Sequence, residues 1–112
     1  MSPITTHILD TAVGKPAAGV PVSLSLMTND GWQIAGEGVT NSDGRITDLL
    51  PAGSLRAGTY RIVFETGSYF EASGQTGFYP FVPVVFVVTD ADQHYHVPLL
   101  LNPYGYSTYR GS

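Results

Sequence analysis

Apolar residues in this chain recur at every second position, in short runs separated by turn-forming residues. The clearest run is Val20 to Met27, where Val20, Val22, Leu24 and Leu26 face one way and Pro21, Ser23 and Ser25 the other. A period of two belongs to an extended chain with one buried face. Ile4 to Asp10 divides likewise, with Thr5, His7 and Leu9 on one face and Thr6, Ile8 and Asp10 on the other. Gly58 to Phe64 repeats the pattern through Tyr60, Ile62 and Phe64, and Val84 to Thr89 is the most β-prone run of all. Tyr95 to Leu101 and an aromatic Tyr104 to Tyr109 complete the regular strands.

The segments between them are reversals. Asn29-Asp30-Gly31 and Asn41-Ser42-Asp43-Gly44 carry the Asp-Gly pair that joins antiparallel strands. Trp32 to Thr40 reads as a less regular strand, with Gly36 and Gly38 pointing to a bulge. Arg45 to Thr47 is long enough only for a very short strand. Gly67 to Ser73 has the length of one or two helical turns, which is marginal in isolation. Pro21 marks a strand start or an edge, and Pro98 denies its strand one ladder hydrogen bond unless it lies at an edge or a bulge, because proline cannot donate to the ladder. His7 sits on a first strand expected near a sheet edge. Seven or eight strands, short turns and one stub of helix define an all-β chain, a sandwich or barrel. Residues 1–112 form a single domain on this reading, a usual size for one.

Composition narrows the function. Charged residues are 12% of the chain, about half the usual share, while hydrophobic residues are 43%. Such a surface is weakly polar, and part of it is expected to meet a partner or another copy of the chain. Five Lys and Arg against nine Asp and Glu give a net charge of −4, which leaves no basic footprint for nucleic acid or for anionic lipid. There are no cysteines, so neither disulfides nor thiol chemistry enter. The segment MSPITTHILD has no basic stretch followed by an apolar run, and Pro80 to Val88 is too short to span a bilayer as a helix. A cytoplasmic location and no membrane partner are the expectations.

No phosphate loop, zinc-protease helix, EF loop or serine elbow is present. The three histidines are His7, His94 and His96. His94 and His96 share a strand face, an arrangement that can ligate a metal if a further ligand such as His7 joins them, or can be ordinary surface polarity. Arg45 follows a turn, Arg56 lies in a loop, Arg61 sits in a strand facing solvent, and Arg110 lies in the C-terminal segment. A guanidinium can clamp a planar amide or hold developing negative charge, or simply solvate a surface. The aromatic segment YGYSTYRGS is either a last strand completing a sheet or an interface strand lining a cleft.

Several separated segments resemble one family. HILD at 7–10, GR at 44–45, HYHVPLLL at 94–101 and PYGYSTYRGS at 103–112 are similar to the 5-hydroxyisourate hydrolases, transthyretin-like enzymes of urate breakdown, with GKPAAGVPV and YPFVPVVF also in place. YRGS is the most specific piece, since the hydrolases carry it and transthyretin, the hormone carrier of the same fold, does not. The two histidines and the first arginine also separate the hydrolases from the carrier. Asn102 departs from the serine many relatives have there, in a turn where Asn is equally apt. The resemblance implies a prealbumin-type sandwich of two four-stranded sheets with one short helix. It further implies a homotetramer, a dimer of dimers with active sites in the channel between dimers. The implied reaction opens 5-hydroxyisourate at its N1–C6 amide to give 2-oxo-4-hydroxy-4-carboxy-5-ureidoimidazoline, with no cofactor and no metal. His7 and His96 are then the acid–base pair, Arg45 binds substrate and stabilises charge, and Ser112 positions water or substrate through its hydroxyl or carboxylate. Tyr109 shapes the pocket, and His94 and Arg110 are supporting residues. The rival readings are a small-ligand carrier, an Ig-like interaction module, and a metalloenzyme built on the three histidines.

Overall fold

The computed structural model describes residues 2–112. Nine strands and one helix follow in the order β1 (Ile4–Asp10), β2 (Lys15–Pro16), β3 (Pro21–Thr28), β4 (Gly31–Val39), β5 (Arg45–Ile46), β6 (Gly58–Phe64), α1 (Thr66–Ala72), β7 (Val82–Val88), β8 (Tyr95–Asn102) and β9 (Gly105–Thr108). Six of these are the regular strands expected from the sequence, and β4 is the less regular one. The other two, β2 and β5, have two residues each. β2 lies inside Gly14 to Gly19, read from sequence as turn alone.

The strands form two sheets. One has the order β4-β3-β6-β7, and the other the order β2-β1-β8-β9 with β5 also on β1. The second sheet therefore has five strands, not the four implied by the resemblance, because two short segments share one side of β1. All pairs are antiparallel except β1 with β8.

Alternation decides what lies between the sheets. Ile4 and Ile8 of β1 and Val97, Leu99 and Leu101 of β8 are buried in one cluster with Val22, Leu24, Ile62, Phe64 and Val82 of the facing sheet. Burying a side chain of this kind stabilises the fold by roughly 1.5–3 kcal/mol. Helix α1 is too short to persist alone, and packing holds it. Phe70 joins the core, and the Tyr69 hydroxyl donates to Asp10 Oδ2 at 2.7 Å. Burial and the neighbouring Asp10 carboxylate push the Tyr69 phenol up to about 12.

The prolines and glycines act at particular places. Pro21 opens β3, a central strand, so it marks a start and not an edge. Pairing of β3 with β4 skips Ala35, between Ile34 and Gly36, which is the expected bulge. Pro98 sits at neither an edge nor a bulge. The β8–β9 ladder stops at Leu99–Thr108 and resumes in the same register at His96–Gly111, so the missing donor falls in a gap in the ladder. β1 lies one strand in from the sheet edge. Arg61 does not simply face solvent: its guanidinium lies 4.5 Å from the Trp32 ring centroid.

Candidate active site

The outer face of the five-stranded sheet gathers residues from four distant segments. On β1, Thr5, His7 and Leu9 point away from the core, since Ile4, Thr6, Ile8 and Asp10 are buried. Parallel pairing sets Thr5 opposite His96 and His7 opposite Pro98. On its other side β1 receives β5, with His7 opposite Arg45. His7 thus lies between the strand that carries Arg45 and the strand that carries His96.

Local chemistry places Arg45. Asn41 Oδ1 accepts from the backbone N–H of Asp43 at 2.9 Å and of Arg45 at 3.1 Å, fixing the turn. The turn docks on β1 through Ile8 N–H to Gly44 O at 2.8 Å. Gly44 has φ +73°, and a Cβ there would lie 2.5 Å from Ile8 O, so both conformation and space require glycine. Ile46 turns inward to the core and leaves Arg45 exposed on the outer face.

The C-terminal segment crosses the same face. Gly111 N–H donates to His96 O at 2.8 Å. A Cβ on Gly111 would approach His96 Cδ2 to 2.6 Å, so only glycine lets the backbone lie across the imidazole. Ser112 is thereby delivered to a concavity lined by Thr5, Thr6, Arg45, Ile46, Thr47, His94 and His96.

His96 is the electrostatic centre of the group. Partial burial holds its imidazole below the ordinary histidine value, and the charges of His94, Arg45 and His7 add to the effect. It is therefore poised as a neutral ring near pH 7, able to accept a proton. The rings of His94 and His96 are nearly parallel, with centroids 6.5 Å apart. Thr5 Oγ1 lies between them, 3.0 Å from His94 Nε2 and 2.8 Å from His96 Nδ1. Thr5 was not singled out from the sequence. Its shared face with His7 was visible, but its contact with His96 depends on parallel pairing across 91 residues.

Tyr109 and Arg110 lie elsewhere. They line a crevice with residues of β7 and with Tyr95, Val97 and Thr108. The Arg110 guanidinium stands 4.4 Å from the Tyr95 ring centroid and donates to Gln93 Oε1 at 3.0 Å. Among the described residues no three His, Cys, Asp or Glu side chains are grouped to hold a metal ion.

The concavity can therefore offer a proton acceptor at His96, a second imidazole at His94, a fixed positive charge and a hydroxyl to a small molecule. Comparison with known proteins sharpens this chemistry. Residues 4–111 match the model described as the HIUase/Transthyretin family. The 5-hydroxyisourate hydrolase of Salmonella dublin is 49% identical over 109 residues, covering 97% of this chain and 80% of that protein. The Klebsiella pneumoniae 5-hydroxyisourate hydrolase structure is 40% identical with a TM-score of 0.85, covering 97% of this chain and 92% of the other. Sea bream transthyretin, solved with thyroxine, is 36% identical with a TM-score of 0.93, covering 98% and 95%. Backbone similarity thus does not separate enzyme from carrier, and the side chains on the outer face must.

Proposed function

Because this chain belongs to the HIUase/transthyretin family, we propose that it hydrolyses 5-hydroxyisourate, opening the ring at the N1–C6 amide to form 2-oxo-4-hydroxy-4-carboxy-5-ureidoimidazoline. The observation that carries this reading is the outer face of the five-stranded sheet, where Arg45, His94, His96 and Ser112 line one concavity and His7 stands beside it on β1, between the strands of Arg45 and His96. A carrier for an apolar ligand would have little use for that polar lining.

The mechanism follows from the groups available. Water attacks C6 while one imidazole takes its proton. The new O–C6 bond pushes the carbonyl electron pair onto oxygen, where the Arg45 guanidinium stabilises the charge. Collapse of the intermediate breaks C6–N1, the second imidazole delivers a proton to N1, and the product leaves with a carboxylate. His7 and His96 share the two proton transfers. Ser112 orients water or substrate, and no cofactor is needed. Arg110 acts at a distance, by holding the C-terminal segment against the Tyr95 ring of β8.

The chain acts as a single domain, in the cytoplasm, with a small purine-derived substrate and neither nucleic acid nor membrane as partner. It works as a homotetramer, a dimer of dimers. Two features support the assembly. Edge strand β7 leaves Val85 and Val87 58% and 60% exposed, an apolar edge that invites a second copy. The site lies on an open sheet face, which an opposing face would close into a chamber that excludes water.

The test uses freshly generated 5-hydroxyisourate, which also decays without enzyme. The protein is expected to accelerate loss of its ultraviolet absorbance over a blank in the same buffer, and sedimentation equilibrium to give four times the subunit mass. A folded protein with no acceleration would favour the carrier, and a fully active monomer would remove the closed chamber.

A further inference from the structure

We propose that Thr5 is the positioning residue that sets the tautomer of His96: its hydroxyl accepts from His96 Nδ1–H, donates to His94 Nε2, and leaves His96 Nε2 bare as the general base. The assignment rests on the hydrolase reading and deepens it, because it divides the roles of two histidines that otherwise share them. His7 is then the acid that protonates N1.

The geometry carries most of this. A hydroxyl has one proton to give. Thr5 Oγ1 lies within hydrogen-bond distance of a ring nitrogen on both His94 and His96. It cannot donate to both, so at least one ring must present its own N–H to Thr5. The protonation of the two imidazoles is therefore coupled through a single oxygen. Thr5 is also well suited to hold that oxygen still. It lies inside β1, and its β-branched side chain has few rotamers.

The hydrolase reading and the geometry together choose the direction. A neutral imidazole that takes a proton from water at one ring nitrogen must carry its own N–H on the other. The nitrogen that faces Thr5 is Nδ1. Partial burial, with the coulombic influence of His94, Arg45 and His7 beside it, disfavours a second proton on the same ring. His96 then keeps one N–H, at Nδ1, and Nε2 has no hydrogen-bond partner among the described residues. That is the nitrogen free to take a proton from water. Without the hydroxyl the neutral ring would divide between tautomers, and the Nε2–H form cannot act as base at that position.

Ring-nitrogen NMR of uniformly 15N-labelled wild-type protein tests this directly. His96 is expected as the Nδ1–H tautomer with Nε2 unprotonated. Thr5→Val keeps the shape and removes the hydroxyl. It should give mixed His96 tautomers and a kcat reduced about tenfold, a fraction of what loss of a whole acid or base costs. KM should change little, and Thr5→Ser should recover most of both losses. A wild-type His96 protonated at Nε2 would overturn the proposal, as would a Thr5→Val protein with wild-type tautomer and kcat. The wild-type spectrum needs no variant, so a Thr5→Val chain that fails to fold still leaves the tautomer decided. Wild-type protein that is inert toward 5-hydroxyisourate yet shows the Nδ1–H tautomer would overturn the hydrolase reading instead.

Discussion

The two faces of β1 treat polar side chains in opposite ways. Inward, Thr6 Oγ1 donates to Val97 O at 2.6 Å, and Asp10 accepts from Tyr69 and from the Ala12 N–H at 3.0 Å. Both residues are buried and engaged with the fold itself. Outward, His7, Arg45 and Ser112 stand on a partly open surface with bonding capacity left for something else. A buried polar group must be paired or it destabilises the fold, whereas a group at a site is useful because its last partner is the substrate. Position on a strand with a period of two is enough to assign a residue to one fate or the other.

Substitutions on the outer face should produce the largest effects, and in rate. His7→Asn, His96→Asn and Arg45→Gln are each expected to lower kcat/KM by about 10²–10⁴ with circular dichroism and native mass near wild type. The double histidine variant should lose less than the product of the single losses, because the two residues act as a unit. Wild-type rates in any of the three would take that residue off the site.

Substitution on the inner face should move stability and spare turnover. Asp10→Ala strands the Tyr69 hydroxyl and the Ala12 N–H, at a cost of about 1–3 kcal/mol. Urea denaturation is the measurement, with turnover of the folded fraction staying near wild type. A folded Asp10→Ala protein that had lost its catalysis would erase the distinction between the faces.

The C-terminal segment sharpens the contrast. Gly111→Ala forces its methyl group against the imidazole of His96 and shifts Ser112. Misplacement near 1 Å can cost up to about 10² in rate, so a loss of about tenfold with unchanged assembly is expected. Deleting Ser112 should slow turnover in the same way and leave the tetramer intact. Normal kinetics in the truncated chain would remove Ser112 from the mechanism.

The smallest effect is on pH dependence. Since His96 titrates below the ordinary value of 6.5, its base form survives to lower pH than a free histidine would allow. The acidic limb of kcat/KM should therefore fall below pH 6.5, and an acidic limb above it would contradict His96 as base. The same shift affects stability. The unfolded chain binds the proton more readily, so stability drops as pH falls from 6.5 through the folded value, and His96→Asn should flatten that slope.

Much of this was legible in the chain. The period of two marked the six regular strands and assigned Thr5, His7 and Leu9 to one face of β1, because side-chain alternation is a local property of extended backbone. Asn41 to Gly44 announced the turn that presents Arg45, since Asx and glycine chemistry is equally local. The charge balance argued against nucleic acid as a partner. The resemblance in HILD, GR, HYH and YRGS supplied a reaction that no spacing could have revealed.

Tertiary structure alone decided which strands became neighbours. Alternation cannot say that β1 pairs in parallel with β8, 91 residues away, yet that pairing puts Thr5 against His96. Nor could it say that β2 and β5 would share one side of β1, that Pro98 would fall in a gap of the ladder, or that Arg110 would turn toward Tyr95 and away from the histidines. The physical reason is one of range. Backbone periodicity and turn chemistry act over a few residues, whereas partner choice depends on how the whole chain buries its apolar faces. The residue identities required for the chemistry are written in the sequence, and their meeting point exists only once both sheets have closed on their common core.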